Sequence, residues 1–484
     1  MSVLEGFEPK EALGFFEEIC NIPHGSGNLQ KISDYLVKFA KDRNLDVIQD
    51  SELNVIIKKP ASAGYEDREP VILQGHMDMV AVKDADCDIN LLTDGLRVQT
   101  DGEYVWADGT SLGGDDGIAV AYCLAILDSK TLKHPPIEVV ITTNEETGMD
   151  GARAIDLSTL KGKRLINIDN EEEGVLLTSC AGGGRFHATL PVNRGIVQGT
   201  AYKIEMGGLL GGHSGEMIIK ERGNANYLVA RVLYELNKEF AMNIVSLNGG
   251  VADNAIPRDS EAVVVLASDT DEKKFMEAVA TIENDIKGEL EIKDPSVFVK
   301  TSKVNSGAYN ALDAESTSKV VKMIISLPNG KLTMSAAIEG LVETSLNLGV
   351  MKMTEDDNEI VLDYAVRSSV ESSKMALFDK LQIITEVFGG KYEITGAYPG
   401  WKFNPNSELR ETMVRVYEEK YGEKPQVVAI HAGVECGLFS EKIDGLDSIS
   451  IGPDMKDIHT TGEMLSLGST KRTWEYLVAV LEQL

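Results

Sequence analysis

The chain has 484 residues, 43% hydrophobic and 26% charged, with a formal net charge of −30. This length exceeds one ordinary hydrophobic core and predicts two or three domains, and the composition is typical of a soluble globular protein. The negative charge argues against nucleic acid or an anionic membrane as a partner. No stretch approaches the roughly 20 apolar residues that span a bilayer, and the acidic N-terminus does not have the pattern of a signal peptide.

Five cysteines are scattered along the chain, and none forms a Cys-x-x-Cys pair. A sparse, odd set of this kind predicts reduced thiols and therefore a cytoplasmic location. Any metal site must then be built from histidine, aspartate and glutamate.

The first 185 residues alternate between helical and strand patterns. Apolar spacing predicts helices over 10–20, 29–43 and 118–127, and strands over 54–58, 70–74, 137–142 and 164–168. Strands separated by helices indicate an α/β domain, a central mixed sheet flanked by helices. In such sheets, functional sites lie at the carboxyl ends of the strands.

The pattern changes after residue 185. The pattern of helices and strands over residues 186–390 predicts an inserted α+β domain of two tandem, ferredoxin-like units. In the first unit we expect strands 186–191, 201–206 and 262–267 with helices 224–240 and 271–287. The second unit has strands 336–353, 360–367 and 391–395 with helices 315–327 and 373–388. The tail returns to α/β character, with helices 407–421 and 470–484 and strands 427–430 and 447–451. One catalytic domain is thus predicted from residues 1–185 and 391–484.

The first chemical motif is an apolar strand that ends at His76, with Asp78 two residues later. Residues i and i+2 of an extended chain lie on the same side. A metal-bound histidine usually needs a carboxylate at its other ring nitrogen, and Asp78 fits that position.

A glycine-rich segment, residues 108–117, contains Asp115 before the predicted buried helix. Glycines allow tight backbone geometry, and a carboxylate held in such a loop can bridge two cations. Asp108 and Asp116 are explained as loop caps. A phosphate-binding loop is the alternative, but no Lys-Ser/Thr pair follows and the loop contains aspartates.

Further acidic and histidine residues follow other apolar strands. Glu145 and Glu146 point in different directions, so one can bind metal while the other acts as general base. Asp169 ends the next strand, and His459 lies far along the chain but in the same predicted domain. Any one such residue is more often a cap or a solvated side chain. Five such motifs together favour a metal site.

The order and spacing of these motifs resemble the co-catalytic dinuclear zinc peptidase family that includes carnosinases, aminoacylases and tripeptidases. The resemblance covers nearly the whole chain, including Gly-Gly-His-Ser-Gly at 211–215 and His-Ala-Gly-Val-Glu-Cys-Gly at 431–437. Within the family, the chain is similar to the dipeptidases that cleave Xaa-His dipeptides. The resemblance implies two divalent metal ions, with zinc expected and cobalt or manganese as alternatives.

The resemblance also assigns metal ligands residue by residue. It implies that Asp115 bridges both metals. His76 and Asp169 complete one site, and Glu146 and His459 complete the other.

The same resemblance implies a mechanism. Glu145 is the general base, which takes a proton from a metal-bridging water and passes it to the leaving amine. Asp78 orients His76. His213 is similar to the lid histidine that donates a hydrogen bond to the developing oxyanion.

Three further residues are predicted to contact the substrate. The guanidinium of Arg367 suits the bidentate binding of a carboxylate, although a surface arginine that closes a strand is the alternative. Asn254 resembles a substrate-contacting lid position, or it forms the turn before Pro257. Glu435, with His431, shapes a side-chain pocket or closes its loop.

The expected function is hydrolysis of Xaa-His and related dipeptides in the cytoplasm. A tripeptidase or a deacylase of N-acyl amino acids from the same family is an alternative, and so is a non-catalytic binding protein that retains the fold. A homodimer is possible in the wider family, where a single inserted unit often forms the dimer interface. The expected partners are small peptides, and neither nucleic acid nor a membrane is expected.

Overall fold

The computed structural model describes residues 2–484, which fold into two compact units. The first unit comprises the described residues up to Ser179 together with Phe403–Ala429 and Val434–Leu484. The second comprises Cys180–Lys402 and Ile430–Gly433. Its bounds are wider than residues 186–390 because the strands that begin and end it pair with each other over Gly183–Thr189 and Lys391–Tyr398.

The helices are α1 Lys10–Cys20, α2 Gln30–Asp42, α3 Gly114–Asp128, α4 Asp150–Ala154, α5 Ala225–Leu236, α6 Glu272–Leu290, α7 Ala314–Ser326, α8 Glu371–Val387, α9 Glu408–Tyr421, α10 Cys436–Lys442 and α11 Leu467–Gln483, with a 3₁₀ turn at Ile218–Lys220. Among the described residues, none of these helices is long and apolar enough to cross a membrane.

The strands are β1 Asp46–Gln49, β2 Val55–Lys59, β3 Val71–His76, β4 Val98–Thr100, β5 Tyr104–Ala107, β6 Ile137–Thr142, β7 Arg164–Asn167, β8 Val175–Cys180, β9 Gly182–Pro191, β10 Arg194–Gly207, β11 Gly212–His213, β12 Met242–Gly249, β13 Ala255–Ile256, β14 Ser260–Leu266, β15 Phe298–Leu312, β16 Gly330–Met334, β17 Val342–Met353, β18 Glu359–Ser368, β19 Lys391–Tyr398, β20 Gln426–Ile430, β21 Asp447–Ser450, β22 Met455–Lys456 and β23 Met464–Ser466.

The first unit is built on an eight-stranded mixed sheet in the order β1-β2-β6-β3-β7-β21-β8-β20. Its central strands β6, β3, β7 and β21 run parallel. Helix α3 has no polar face along Ile118–Leu127, so burial is its only favourable environment. It packs between β3 and α1, where Phe16 lies against Gly117.

A small four-stranded sheet, in the order β22-β23-β5-β4, also belongs to the first unit. Its strands have two to four residues, too few to show a period in the sequence. Leu465 pairs with Val105, so the sheet fixes both ends of the segment 457–463 that contains His459.

The second unit contains one nine-stranded antiparallel sheet, in the order β15-β10-β14-β12-β17-β18-β9-β19, with β16 added beside β17. One half uses β10-α5-β12-β14-α6-β15, and the other uses β9-α7-β17-β18-α8-β19. These halves are nested rather than consecutive. The sequence predicts β9 in the first of the two tandem ferredoxin-like units, and this prediction is wrong. Strand β9 pairs with β18 over ten residues and with β19 on its other side, so it belongs to the second half.

Candidate metal centre

Three neighbouring strands of the first unit place candidate ligands at one edge of the sheet. Strand β3 lies between β6 and β7, with His76 opposite Thr142 and Gln74 opposite Asn167. Because the three strands run parallel, their carboxyl ends lie at the same edge of the sheet, and the polar residues meet there. The sequence favours this arrangement because β3 and β6 are buried throughout and can expose a functional group only where they end.

Asp115 lies between two histidines from distant parts of the chain. Its Oδ1 is 3.2 Å from His76 Nε2, and its Oδ2 is 3.1 Å from His459 Nε2. The peptide bond between Asp115 and Asp116 is cis. Each oxygen of the Asp115 carboxylate therefore faces a different imidazole.

The remaining predicted ligands divide between those two histidines. Asp169 Oδ1 lies 3.6 Å from His76 Nε2, and Glu146 Oε1 lies 3.0 Å from His459 Nε2. The donor atoms of Asp115, Glu146 and His459 all lie within 4.8 Å of one another. His76 is buried, whereas the His459 side chain is 44% exposed, so the second group is open to solvent.

The electrostatics of this cluster are those of crowded carboxylates. Burial, together with the nearby Asp115 and Glu435, raises the pKa of Asp169 to about 7 against the opposing effect of His76. Burial is also the main cause that raises the pKa of Glu145 well above its usual value. Hydrogen bonds to Asp115 and Glu146 raise the pKa of His459 to about 10. Positive charge is therefore stabilised at this position.

The donor set fits two divalent cations. Among residues 2–484, no lysine or arginine forms an ion pair with the carboxylates of Asp115, Glu145, Glu146 or Asp169. Imidazole nitrogens and carboxylate oxygens are ligands for zinc and related metals. Divalent cations held by these residues would neutralise the negative charge of the cluster.

Asp78 lies behind the ligands and is almost fully buried. His76 Nδ1 lies 2.9 Å from the backbone carbonyl of Asp78 and 3.5 Å from its carboxylate. The carboxylate accepts hydrogen bonds from Ser26 Oγ at 2.7 Å and from the Glu145 backbone N–H at 3.0 Å. Asp78 therefore orients the histidine partly through its backbone, and its side chain holds the turn that follows β6.

Asp116 also borders the centre, although the sequence explained it as a loop cap. Its Oδ2 accepts a hydrogen bond from the His76 backbone N–H at 3.1 Å, and its donor atoms fall within 4.8 Å of those of His76 and Asp169. The side chain is fully buried, and burial raises its pKa well above the usual value. Through its hydrogen bond to the backbone of His76, Asp116 supports the end of β3.

Several other predicted residues lie in the second unit. His213 is half-buried on β11, and Arg367 lies near the end of β18, where its guanidinium donates to the Tyr398 hydroxyl at 3.2 Å. His431 Nε2 is 2.7 Å from Ser345 Oγ. Burial and the charge of Arg367 lower the pKa of both His213 and His431. The structure thus brings these residues together around an arginine that has no acidic partner in the described part of the chain.

Asn254 and Glu435 occupy very different environments. Asn254 is exposed, and its carbonyl accepts a hydrogen bond from the Ser214 N–H at 2.8 Å, next to His213. Glu435 belongs to the first unit and is fully buried, where its Oε2 accepts from Gln74 at 2.5 Å and Thr142 at 2.7 Å. These hydrogen bonds support the carboxyl ends of β3 and β6.

The sequence predicts no role for two residues that lie close to the proposed site residues, Tyr398 and Glu463. Tyr398 ends β19 without any motif around it, so no local signal could identify it. Glu463 lies four residues after His459, and its carboxylate binds the loop that contains Asp115. Its position in the histidine motif was the only available signal.

Comparison with known proteins identifies the family to which this chain belongs. Residues 72–483 match peptidase family M20/M25/M40, and the chain therefore belongs to that family. It is a metallopeptidase, a hydrolase of peptide bonds. The cytosol non-specific dipeptidase of Escherichia coli (strain K12) is 37% identical over 487 aligned residues, which cover 100% of this chain and 99% of that protein.

Solved structures agree with this assignment. The aminoacylhistidine dipeptidase of Vibrio alginolyticus has a TM-score of 0.95 at 37% identity, covering 99% of this chain and 98% of that one. The aminopeptidase PepT of Bacillus cereus has a TM-score of 0.57 at 16% identity, covering 99% of both chains. At that identity, PepT shows the shared fold alone.

Proposed function

We propose that the protein is a dinuclear metal-dependent dipeptidase that hydrolyses Xaa-His and related dipeptides. The observation that carries the proposal is the placement of the two Asp115 oxygens at 3.2 Å from His76 and 3.1 Å from His459. The full-length similarity to proteins named cytosol non-specific dipeptidase and aminoacylhistidine dipeptidase supports the substrate class.

In this proposal Asp115 would be shared by the two metals, His76 and Asp169 would complete one site, and Glu146 and His459 would complete the other. When bound, the metals would supply Lewis-acid chemistry for the scissile carbonyl and for the attacking water. Zinc suits these ligands, and cobalt or manganese are the alternatives.

Glu145 is the proposed general base. It shares a turn with the proposed ligand Glu146, and its N–H is held by Asp78. Its carboxylate lies within 4.8 Å of the donor atoms of His76 and Glu146, close enough to accept a proton from a water molecule at the metals. After accepting it, Glu145 would pass the proton to the amine that leaves.

We propose that the second unit, with its two nested ferredoxin-like halves, is a lid that binds the substrate. Arg367 would pair with the C-terminal carboxylate, since its Nε is buried without a hydrogen-bond partner and no acidic group among residues 2–484 forms an ion pair with it. His213 would donate to the developing oxyanion, and Asn254 would bind the peptide backbone.

The name of the Escherichia coli relative supports a cytoplasmic location. A homodimer is the proposed assembly.

The deciding experiment measures metal content and substrate range on one preparation. We expect two metals per chain by elemental analysis and turnover of Xaa-His dipeptides that ends when a chelator removes the metal. N-acyl amino acids and tripeptides test the alternative specificities. Cleavage of those compounds without cleavage of dipeptides would contradict the proposal.

A further inference from the structure

Glu463 is a buried carboxylate whose hydrogen bonds all go to one loop. The side chain is 3% exposed. Its Oε2 accepts from the backbone N–H groups of Leu112 at 2.8 Å and Gly113 at 3.1 Å, and its Oε1 accepts from those of Gly114 at 2.8 Å and Asp115 at 3.4 Å. One carboxylate thus binds four consecutive N–H groups, the last of them that of the proposed bridging residue.

The loop is shaped to receive this carboxylate. Gly113 has φ +68°, in the left-handed region that favours glycine, and this turns consecutive N–H groups towards one point. A Cβ added at Gly114 would lie 3.2 Å from Glu463 Oε1, so a side chain there would crowd the carboxylate. Leu112 and Gly113 precede α3, and Asp115 has non-helical backbone angles of φ −84° and ψ 104°, so these N–H groups depend on a partner outside the helix.

Glu463 also has a fixed position relative to His459. Strand β23 begins at the next residue and pairs with β5 and β22. On its other side, the Glu463 N–H donates to the carbonyl of Thr460 at 3.3 Å. The side chain therefore joins the segment that carries His459 to the loop that carries Asp115, although the two ligands are 344 residues apart in sequence.

We propose that Glu463 is a positioning residue that sets the distance between Asp115 and His459, and with it the affinity and geometry of the dinuclear centre. This inference rests on the proposed metal centre. Because Glu463 acts through the backbone of Asp115, its loss affects both metals, whereas loss of a ligand such as Asp169 affects one directly.

The test compares Glu463→Gln with a matched control. The glutamine amide has one acceptor oxygen, and its NH₂ group would face two N–H donors, so the loop must move. Glu138→Gln is the control, because Glu138 is a 4% exposed carboxylate at the other end of β6 that binds the N–H groups of Lys161 at 2.9 Å and Gly162 at 2.8 Å. Each variant replaces one oxygen of a buried carboxylate that binds a loop with an NH₂ group, but only Glu463 binds the loop that carries Asp115.

Zinc affinity is measured by competition with a chromophoric chelator, and the Co²⁺-substituted protein is examined by visible absorption. We expect Glu463→Gln to bind zinc about tenfold or more weakly and to change the Co²⁺ spectrum, while Glu138→Gln keeps the wild-type values. Glu463→Asp is measured in parallel, since it keeps the charge but withdraws it from the loop. Wild-type affinity and spectrum in whichever of these two Glu463 variants folds would overturn the inference. Fewer than two metals on the wild-type chain would overturn the proposed function instead.

Discussion

The backbone N–H of Glu145 donates a 3.0 Å hydrogen bond to Oδ1 of Asp78. Asp78 follows the strand that carries His76, and its backbone carbonyl accepts from the ring of that histidine. A single residue thus fixes a proposed metal ligand and the turn that presents the proposed base. Activity should depend on this residue although it is not among the proposed metal ligands.

Asp78→Asn tests this dependence. The amide would turn an NH₂ group towards the N–H of Glu145 or the hydroxyl of Ser26 and would disturb the turn. We expect metal affinity and kcat each to fall by about 10–100-fold, measured by chelator competition and by dipeptide turnover at saturating metal. Asp88→Asn, at an exposed carboxylate paired with Arg97, is the control and should change neither. Unchanged values in Asp78→Asn would remove its positioning role.

The bridging assignment of Asp115 is tested by counting metals. Asp115→Ala removes the carboxylate that both sites would share, so we expect weakened binding of both metals in equilibrium dialysis followed by elemental analysis. Asp169→Ala should weaken the binding of one metal and leave the other. If Asp115→Ala retained one metal at wild-type affinity, as expected of Asp169→Ala, the bridging assignment would be wrong.

Glu145→Gln separates catalysis from metal binding. The substitution keeps the shape of the side chain but removes its capacity to accept a proton. We expect two metals per chain and a loss of about 10²–10⁴-fold in kcat. Glu172→Gln, at an exposed position in the same unit, should retain full turnover. Retained activity in Glu145→Gln would exclude this residue as the base.

The strand ends that carry His76 and Asp169 could be predicted from sequence because the short apolar segments 71–73 and 165–166 lie just before them. The pairing of His459 with Asp115 could not be derived in this way, since it depends on a small sheet whose strands have two to four residues. The family resemblance supplied that pair instead. Distances such as the 3.1 Å between them come only from the structure.

The topology of the second unit could be predicted only in part. Individual strands such as β18 can be recognised by their apolar side chains. Nothing local in β9, however, indicates that its partners are β18 and β19 rather than the strands next to it in sequence. Strand β15 is largely exposed along its length, so it lacks the apolar alternation by which strands are recognised. Long-range pairing of this kind is set by the packing of the whole unit.

Arg367→Met tests recognition of the substrate carboxylate. A hydrogen-bonded charge pair contributes about 1.5–3 kcal/mol, so we expect kcat/KM for a dipeptide to fall by about 10–150-fold, mostly through KM. Arg367→Lys should recover only part of the loss, because lysine lacks the planar fork. The control substrate is the same dipeptide with an amidated C-terminus. If the variant lost as much activity on the amide as on the acid, Arg367 would have another role.

The buried imidazole of His431 should make the folded state less stable as the pH falls. Burial and the charge of Arg367 lower its pKa from 6.5 to about 3 in the folded chain. Between these values the unfolded chain binds the proton more readily, so His431 destabilises the fold progressively as the pH falls from 6.5 towards 3 and has no such effect above 6.5. Over the interval from pH 6.5 to 5 the cost is on the order of 2 kcal/mol.

His431→Gln should therefore lose less stability than the wild type on acidification, measured as the change in unfolding midpoint between pH 7 and pH 5 in the presence of a chelator. Ser345→Ala is the matched control, since it removes the 2.7 Å contact to the imidazole but leaves the titrating ring in place. That variant should unfold more easily at every pH while keeping a wild-type pH dependence. Equal pH dependence in all three proteins would show that His431 is protonated in the folded state at little cost, in conflict with its burial.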